Sequence, residues 1–288
     1  MADSLVLRAL RGNARQLDLS GKKLKRVPKA VGRLLELNRL QLKNNQLSNL
    51  PAELQALGNL TELNLGNNSF EELPEVLKHL RQLKKLHLFD NKLETLSPSV
   101  LEWLENLVFL NLNNNKLRAL PEEIYRLAKL KFLTVSNNQL ESIPSKLCLL
   151  QKLCELQLAH NKLKSLPHDI GYLTNLKKLS VPRNQIQELP EELCMLRNLK
   201  VLDVAGNQLH IFPTKEITAR YIMNELKDDS FNKALKYYPE ARKILGHASL
   251  CAKISITSAA HIVPIRALLC SYKCFNESGH QFYGIAVP

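Results

Sequence analysis

Two hydrophobic patterns alternate along most of this chain. Leu40 and Leu42 are separated by one polar residue, which predicts a short strand with its leucines on one face. Leu54, Leu57 and Leu60 then follow at intervals of three, which predicts a short helical or 3-10 segment. The same succession recurs along the chain, so each unit is predicted to contain one strand and one helical return.

The strand pattern is part of a repeated L-x-L-x-x-N motif. Its asparagines are 23 residues apart, with one step of 24. An earlier copy has Leu17 and Leu19 but Lys22 in place of the asparagine, which brings the predicted number of repeats to nine. Each asparagine is expected to turn inward and satisfy backbone groups where the strand ends. The predicted structural ladder consists of Asn45, Asn68, Asn91, Asn115, Asn138, Asn161, Asn184 and Asn207.

An apolar residue followed by proline comes after the asparagine in most units, as in Leu50-Pro51. The fourth copy reads Leu96-Ser97-Pro98, and it contains the additional residue of the 24-residue step, so we expect a local bulge there. One unit cannot bury its own leucines, whereas stacked units can. The predicted fold is therefore an α/β solenoid curved like a horseshoe. Its parallel sheet is concave, its helical or 3-10 segments are convex, and helices cap both ends.

The domain organisation follows from where the repeats start and stop. Near the N-terminus, Leu5, Val6 and Leu10 are spaced as on one face of a helix that covers the first repeat. Helices predicted at 215–245 cover the last repeat, with a docking role as the alternative. The predicted divisions are an N-terminal helical cap at 1–13, nine repeats at 14–213, a C-terminal helical cap at 214–247, and an atypical tail at 248–288 that lacks the repeat period.

Composition favours an intracellular protein. The first residues are too charged for a signal-peptide core, and no run approaches the roughly 18 apolar residues that span a bilayer. The six cysteines lack the paired clusters that close both ends of extracellular repeat proteins. We therefore expect a cytoplasmic location, with the nucleus as the alternative.

The unit LxxLxLxxNxLxxLPxxLxxLxx resembles the short intracellular leucine-rich repeats of Ras-pathway scaffold proteins, over residues 14–213. Residues 9–12, 19–24 and 216–220 are also similar to a poorly characterised vertebrate member of that family. The resemblance implies a non-enzymatic module that binds proteins, and by kinship alone a partner in small GTPase or phosphatase signalling. Residues 248–288 have no part in it.

Register assigns a candidate binding surface to the concave face. Three phenylalanines are predicted on adjacent strands about 4.8 Å apart, with Lys85 and His87 at the rim of the patch. The alternative is that Phe109 and Phe132 pack only against each other. The predicted partner-binding residues are Lys85, His87, Phe89, Phe109, Asn111, Phe132 and Thr134.

Charge leaves further alternatives open. The net charge is +13, and Lys23, Lys92, Lys116 and Lys162 follow the asparagine position along one lateral edge. That edge is either merely solvated or binds an acidic protein, nucleic acid or an anionic membrane surface. Nucleic acid is the weaker reading because no nucleic-acid-binding motif accompanies the charge. A ubiquitin-ligase substrate receptor is another alternative. We predict no catalytic residues, cofactor or metal, since neither a nucleophile-and-base pattern nor convincing metal-ligand spacing is present.

Overall fold

The computed structural model describes residues 2–209 and the backbone of residues 266–268. The predicted C-terminal cap at 214–247 lies outside these residues. The tail at 248–288 also lies outside them, apart from one short strand.

Each repeat contributes one three-residue strand because a leucine flanked by two outward-facing residues is enough to pair with the next repeat. The strands form one parallel sheet in chain order, and they pair so that the central leucine of each lies opposite the next. The final strand, from the tail, pairs with the last repeat strand. The strands are β1 Gln16–Asp18, β2 Arg39–Gln41, β3 Glu62–Asn64, β4 Lys85–His87, β5 Phe109–Asn111, β6 Phe132–Thr134, β7 Glu155–Gln157, β8 Lys178–Ser180, β9 Val201–Asp203 and β10 Arg266–Leu268.

The convex side is built from short helices that begin directly after a proline or, in the fourth repeat, at the proline itself. The fixed φ angle of proline suits both positions. Seven of the helices described there are 3-10 helices of five residues: η1 Lys29–Arg33, η2 Ala52–Ala56, η3 Glu75–His79, η4 Glu122–Arg126, η5 Ser145–Leu149, η6 His168–Tyr172 and η7 Glu191–Met195. The fourth repeat has instead an α-helix, α2 Pro98–Leu101. The additional residue of that repeat is therefore accommodated where the bulge was expected, as a change of helix type.

The leucines of the strands and of the helical returns form one continuous core. The central strand leucines Leu86, Leu110 and Leu133 are all at most 2% exposed. An α-helix, α1 Ala2–Arg11, closes the N-terminal end by packing against η1. Its buried residues are Ala2, Val6 and Ala9, while Leu5 and Leu10 are partly buried against the core.

The asparagine side chains bridge neighbouring repeats. Asn115 donates from Nδ2 to the carbonyl oxygens of Leu88 in the preceding repeat and Leu112 in its own, at 2.9 and 3.0 Å. Its Oδ1 accepts from the backbone N–H of Leu93 at 3.0 Å. The other seven asparagines make the corresponding bonds. Each amide thus satisfies backbone groups that the turn leaves unpaired.

The residue before each ladder asparagine has a left-handed backbone conformation. Asparagine, aspartate and glycine adopt it at the lowest cost, and they occupy six of the eight positions. The two exceptions are His160 and Arg183, both at φ 53°. The positions are Asn44, Asn67, Asp90, Asn114, Asn137, His160, Arg183 and Gly206.

Candidate interaction surfaces

Four aromatic side chains lie together on the concave face, and we call them the aromatic cluster: His87, Phe89, Phe109 and Phe132. The rings of His87 and Phe109 have centroids 4.9 Å apart, and those of Phe109 and Phe132 lie at 6.3 Å. Strand pairing dictates this row, because Lys85 pairs with Phe109 and Phe109 with Phe132 across β4, β5 and β6. Phe132 remains 37% exposed. The cluster is therefore an accessible apolar surface on rigid strands.

His87 lies inside the cluster, although the sequence placed it at the rim. Its ring lies edge-on to Phe89 at 6.4 Å and against Phe109 on its other side. Burial lowers the pKa of His87, an effect that Glu62 opposes and Lys85 reinforces. The lowered pKa favours the neutral ring, which presents an apolar surface with polar nitrogen atoms.

Phe89 differs from the other phenylalanines because it follows β4 and does not lie on a strand. A Cβ atom at Gly66 would lie 2.3 Å from the Phe89 ring, so the ring lies directly over the Gly66 backbone. The preceding repeat thus fixes the position of Phe89. The sequence indicates this contact, because Gly66 occupies the position equivalent to Phe89 one repeat earlier.

Three other predicted binding residues occupy different environments. Lys85 is exposed on β4, as expected for a residue at the rim. Asn111 is half-buried, and its Oδ1 accepts from the backbone N–H of Asn113 at 3.0 Å. Thr134 is only 8% exposed, which corrects its assignment as a contact residue. The longer side chains of Asn111 and Gln157 occupy the paired positions on either side of this small residue.

Ion pairs flank the aromatic cluster along the sheet. On β2 and β3, Arg39 Nη2 lies 3.0 Å from Glu62 Oε2, and on β7 and β8, Lys178 Nζ lies 3.4 Å from Glu155 Oε1. Lys85 lies between Glu62 and the phenylalanines and makes no ion pair with any described residue. The concave face thus has an apolar centre, near-neutral flanks and one unpaired cation beside the centre.

Between repeats five and nine, the positive charge is concentrated on a different edge from the one that the sequence indicated. Lys116 and Lys162, after the asparagine positions, are exposed. The segments that follow the asparagines in four successive repeats nevertheless contain only five lysines and arginines against seven acidic residues; they are 116–123, 139–146, 162–169 and 185–192. Across the sheet, where the chain enters the strands, we define the lysine edge as Lys129, Lys131, Lys152, Lys177 and Lys200, all of them exposed.

Among the cysteines of residues 2–209, Cys148 is the buried one. Burial raises the pKa of the Cys148 thiol to about 12, with a smaller contribution from Asp169. Cys148 is therefore a small core residue. Within residues 2–209, no group of three or more potential ligands is placed to hold a metal ion. Nor does any helix in that part of the chain have the length and apolar character needed to cross a bilayer.

Comparison with known proteins identifies the repeat. Residues 90–204 match the model of a leucine-rich repeat region, and residues 59–80 match that of a single leucine-rich repeat. The chain is 43% identical over 100 residues to leucine-rich repeat-containing protein 69 of Xenopus laevis and 36% identical over 100 residues to that of Homo sapiens. Each match covers 27% of this chain and 29% of the relative, so the aligned part spans less than a third of those proteins.

Solved structures share the architecture. A leucine-rich repeat protein of Leptospira interrogans superposes with a TM-score of 0.67 at 37% identity, covering 74% of this chain and 60% of the other. The ectodomain of the Arabidopsis thaliana receptor kinase GASSHO1/SCHENGEN3, in complex with Casparian strip integrity factor 2, superposes at 0.56 with 30% identity. That match covers 71% of this chain and 28% of the receptor chain.

Proposed function

We propose that the chain, whose residues 59–80 and 90–204 match leucine-rich repeat models, is a non-enzymatic scaffold that binds a protein partner on its concave face through the aromatic cluster. The observation that carries this proposal is the row His87–Phe109–Phe132, which remains accessible on three adjacent strands. Aromatic anchors surrounded by polar residues are typical of the energetic centre of protein interfaces.

The size of the surface favours a protein over a small molecule. Nine repeat strands at about 4.8 Å spacing make a concave face about 40 Å long, which is enough for an interface of standard size. The phenylalanines stand on an open sheet, whereas small-molecule sites are enclosed clefts. The leucine-rich repeat receptor in complex with Casparian strip integrity factor 2 supports the proposal as an example of the fold binding a partner.

The proposal predicts that the phenylalanines affect binding more than folding. Phe109→Ala combined with Phe132→Ala removes two partly exposed rings, so a captured partner should be lost while thermal unfolding changes little. Leu110→Ala, on the buried face of the same strand, should cost about 2–5 kcal/mol of stability by opening a cavity. Affinity capture from cytoplasmic extract, compared with thermal melts of all variants, measures both effects.

A matched control replaces apolar residues that are exposed away from the cluster. Leu35→Ala with Trp103→Ala removes side chains that are 56% and 40% exposed and should leave the captured partner bound. If this control loses the same partner, or if Phe109→Ala unfolds the chain as severely as Leu110→Ala, the concave assignment is wrong. The same capture tests whether the partner is a small GTPase or a phosphatase.

We also propose that the scaffold works in the cytoplasm. Cys148 and Cys154 form no disulfide with any described residue, as expected of cysteines in a reducing compartment. Fluorescence microscopy of the tagged chain tests this location, and exclusion from the cytoplasm would contradict it.

A further inference from the structure

We propose that the lysine edge, together with a row of exposed apolar side chains beside it, binds the surface of an anionic lipid bilayer. This surface is separate from the aromatic cluster, so the proposal does not depend on the concave-face function.

The lysine edge is held in line by the backbone. Lys200 donates its N–H to the carbonyl oxygen of Lys177 at 2.8 Å, and Lys177 donates to Cys154 at 2.8 Å. Cys154 in turn donates to Lys131 at 2.8 Å. Lys131, Lys177 and Lys200 thus project from consecutive or alternate repeats, at multiples of about 4.8 Å. The backbone positions of these lysines are therefore fixed relative to one another by the stack.

Asparagines add a second set of cross-links along the same edge. Asn175 Nδ2 donates to the carbonyl oxygen of Gln151 at 2.8 Å, and Asn198 Nδ2 donates to that of Thr174 at 2.8 Å. These bonds join repeats six, seven and eight through side chains at one register position. The backbone of the lysine edge is therefore rigid.

The charge of this edge is not compensated by its own residues. Lys131, Lys152, Lys177 and Lys200 make no ion pair with any residue that the structure describes. The four segments that form the edge, 126–131, 149–155, 172–178 and 195–201, contain eight cations and a single acid, Glu155, which pairs with Lys178. The cations are Arg126, Lys129, Lys131, Lys152, Lys177, Lys178, Arg197 and Lys200. Like charges held this close repel one another, and an anionic surface would relieve that repulsion.

An apolar row runs beside the lysines. Leu149, Tyr172 and Met195 occupy the last position of η5, η6 and η7, and they are 52, 54 and 55% exposed. A Cβ atom at Gly171 would lie 3.0 Å from Met195 Sδ, so the thioether reaches back to the repeat that carries Tyr172. Three large apolar side chains are therefore presented in register from three successive repeats.

The combination of the two rows favours a lipid surface. Leucine, methionine and tyrosine can enter the interfacial region of a bilayer while neighbouring lysines contact the headgroups. Nucleic acid would use the cations but gains little from exposed leucine and methionine. The row faces outward from consecutive repeats, which suits a broad surface. Toward the N-terminus, Glu102 and Glu105 interrupt the basic edge, so the surface extends from repeat five to the start of repeat nine.

The test is co-sedimentation of the full chain with phosphatidylcholine vesicles, with and without phosphatidylserine. The natural chain should bind only the vesicles that contain phosphatidylserine, and binding should weaken as salt is raised. Lys177→Glu combined with Lys200→Glu should lower the partition coefficient about tenfold or more. Lys116→Glu with Lys162→Glu makes the same change in net charge on the opposite edge and should alter binding within about twofold.

A second pair of variants tests the apolar row. Leu149→Ser with Tyr172→Ser should weaken binding severalfold, whereas Leu35→Ser, at an equally exposed leucine of the first repeat, should not. Circular dichroism melts establish that every variant is folded.

Three outcomes would overturn the proposal. One is that the natural chain does not bind phosphatidylserine vesicles, and another is that the two lysine pairs have equal effects, which would indicate net charge alone. The third is that binding depends on the lysines but not on Leu149 and Tyr172 and is competed by RNA, which would assign the edge to nucleic acid.

Discussion

At the residue scale, Asn115 shows how one polar side chain joins two repeats. Asn115→Ala leaves the carbonyl oxygens of Leu88 and Leu112 and the N–H of Leu93 without their side-chain partner. Because these groups are buried, the free energy of unfolding should fall by about 1–3 kcal/mol, measured by urea denaturation. The neighbouring exposed Lys116→Ala should change it by less than about 0.5 kcal/mol. If the two substitutions lowered the free energy of unfolding equally, the asparagine side chains would add no stability beyond that of the backbone hydrogen bonds between repeats.

His160 is a residue where the natural sequence is not the most stable choice. It has a φ of 53°, a left-handed backbone conformation whose cost is lowest for glycine and then for asparagine and aspartate. His160→Asn should therefore raise the free energy of unfolding by about 0.5–1 kcal/mol in urea denaturation. His79→Asn, at an exposed position of η3 with ordinary φ, provides the same substitution without the strain and should not stabilise. A loss of stability for His160→Asn would contradict this account.

At the scale of the elements, the sequence determined the strands more fully than their surroundings. The Leu-x-Leu spacing placed every repeat strand, since a leucine that faces the core fixes the direction of its two neighbours. It did not predict that Thr134 is covered, because that depends on the lengths of side chains one repeat away. It also missed the lysine edge, although Lys129 and Lys152 occupy one repeat position and Lys131, Lys177 and Lys200 another. The left-handed positions have a sequence signal in the pairs Asn44-Asn45 and Asn67-Asn68, because asparagine tolerates the left-handed conformation that the first residue of each pair adopts.

The position of His87 between two aromatic rings makes the centre of the sheet sensitive to acid. Its pKa is lowered in the folded chain, so the unfolded chain binds the proton first as pH falls. Stability should therefore decrease as pH falls through the unfolded value of about 6.5 towards the lower folded value. Thermal melts between about pH 7.5 and 5 should show a larger loss for the natural chain than for His87→Gln, which has no ionisable group there. A smaller loss for the natural chain would mean that Glu62 holds the imidazolium in place.

At the scale of the whole molecule, the concave face and the lysine edge meet along the strands. Lys131 and Phe132 are successive residues, and Lys131 belongs to the lysine edge together with Lys177 and Lys200. A chain that rests on a lipid surface by this edge leaves the concave sheet open beside the membrane. The two proposals are therefore compatible, and a partner bound to the aromatic cluster would be held close to the lipid headgroups.

The solenoid should lose structure from its ends, because each repeat contacts only its neighbours. Val6 of α1 is 1% exposed and is part of the core at the first repeat, so Val6→Asp should detach the cap by burying a charge. Hydrogen exchange should then quicken at Leu19, whose N–H bonds Gln41, and remain slow at Leu112, whose N–H bonds Thr134. Leu7→Asp, at an exposed position of the same helix, is the control and should leave both amides protected. If Val6→Asp instead quickens exchange equally at both amides, the repeats unfold as one cooperative unit and the cap stabilises the entire sheet.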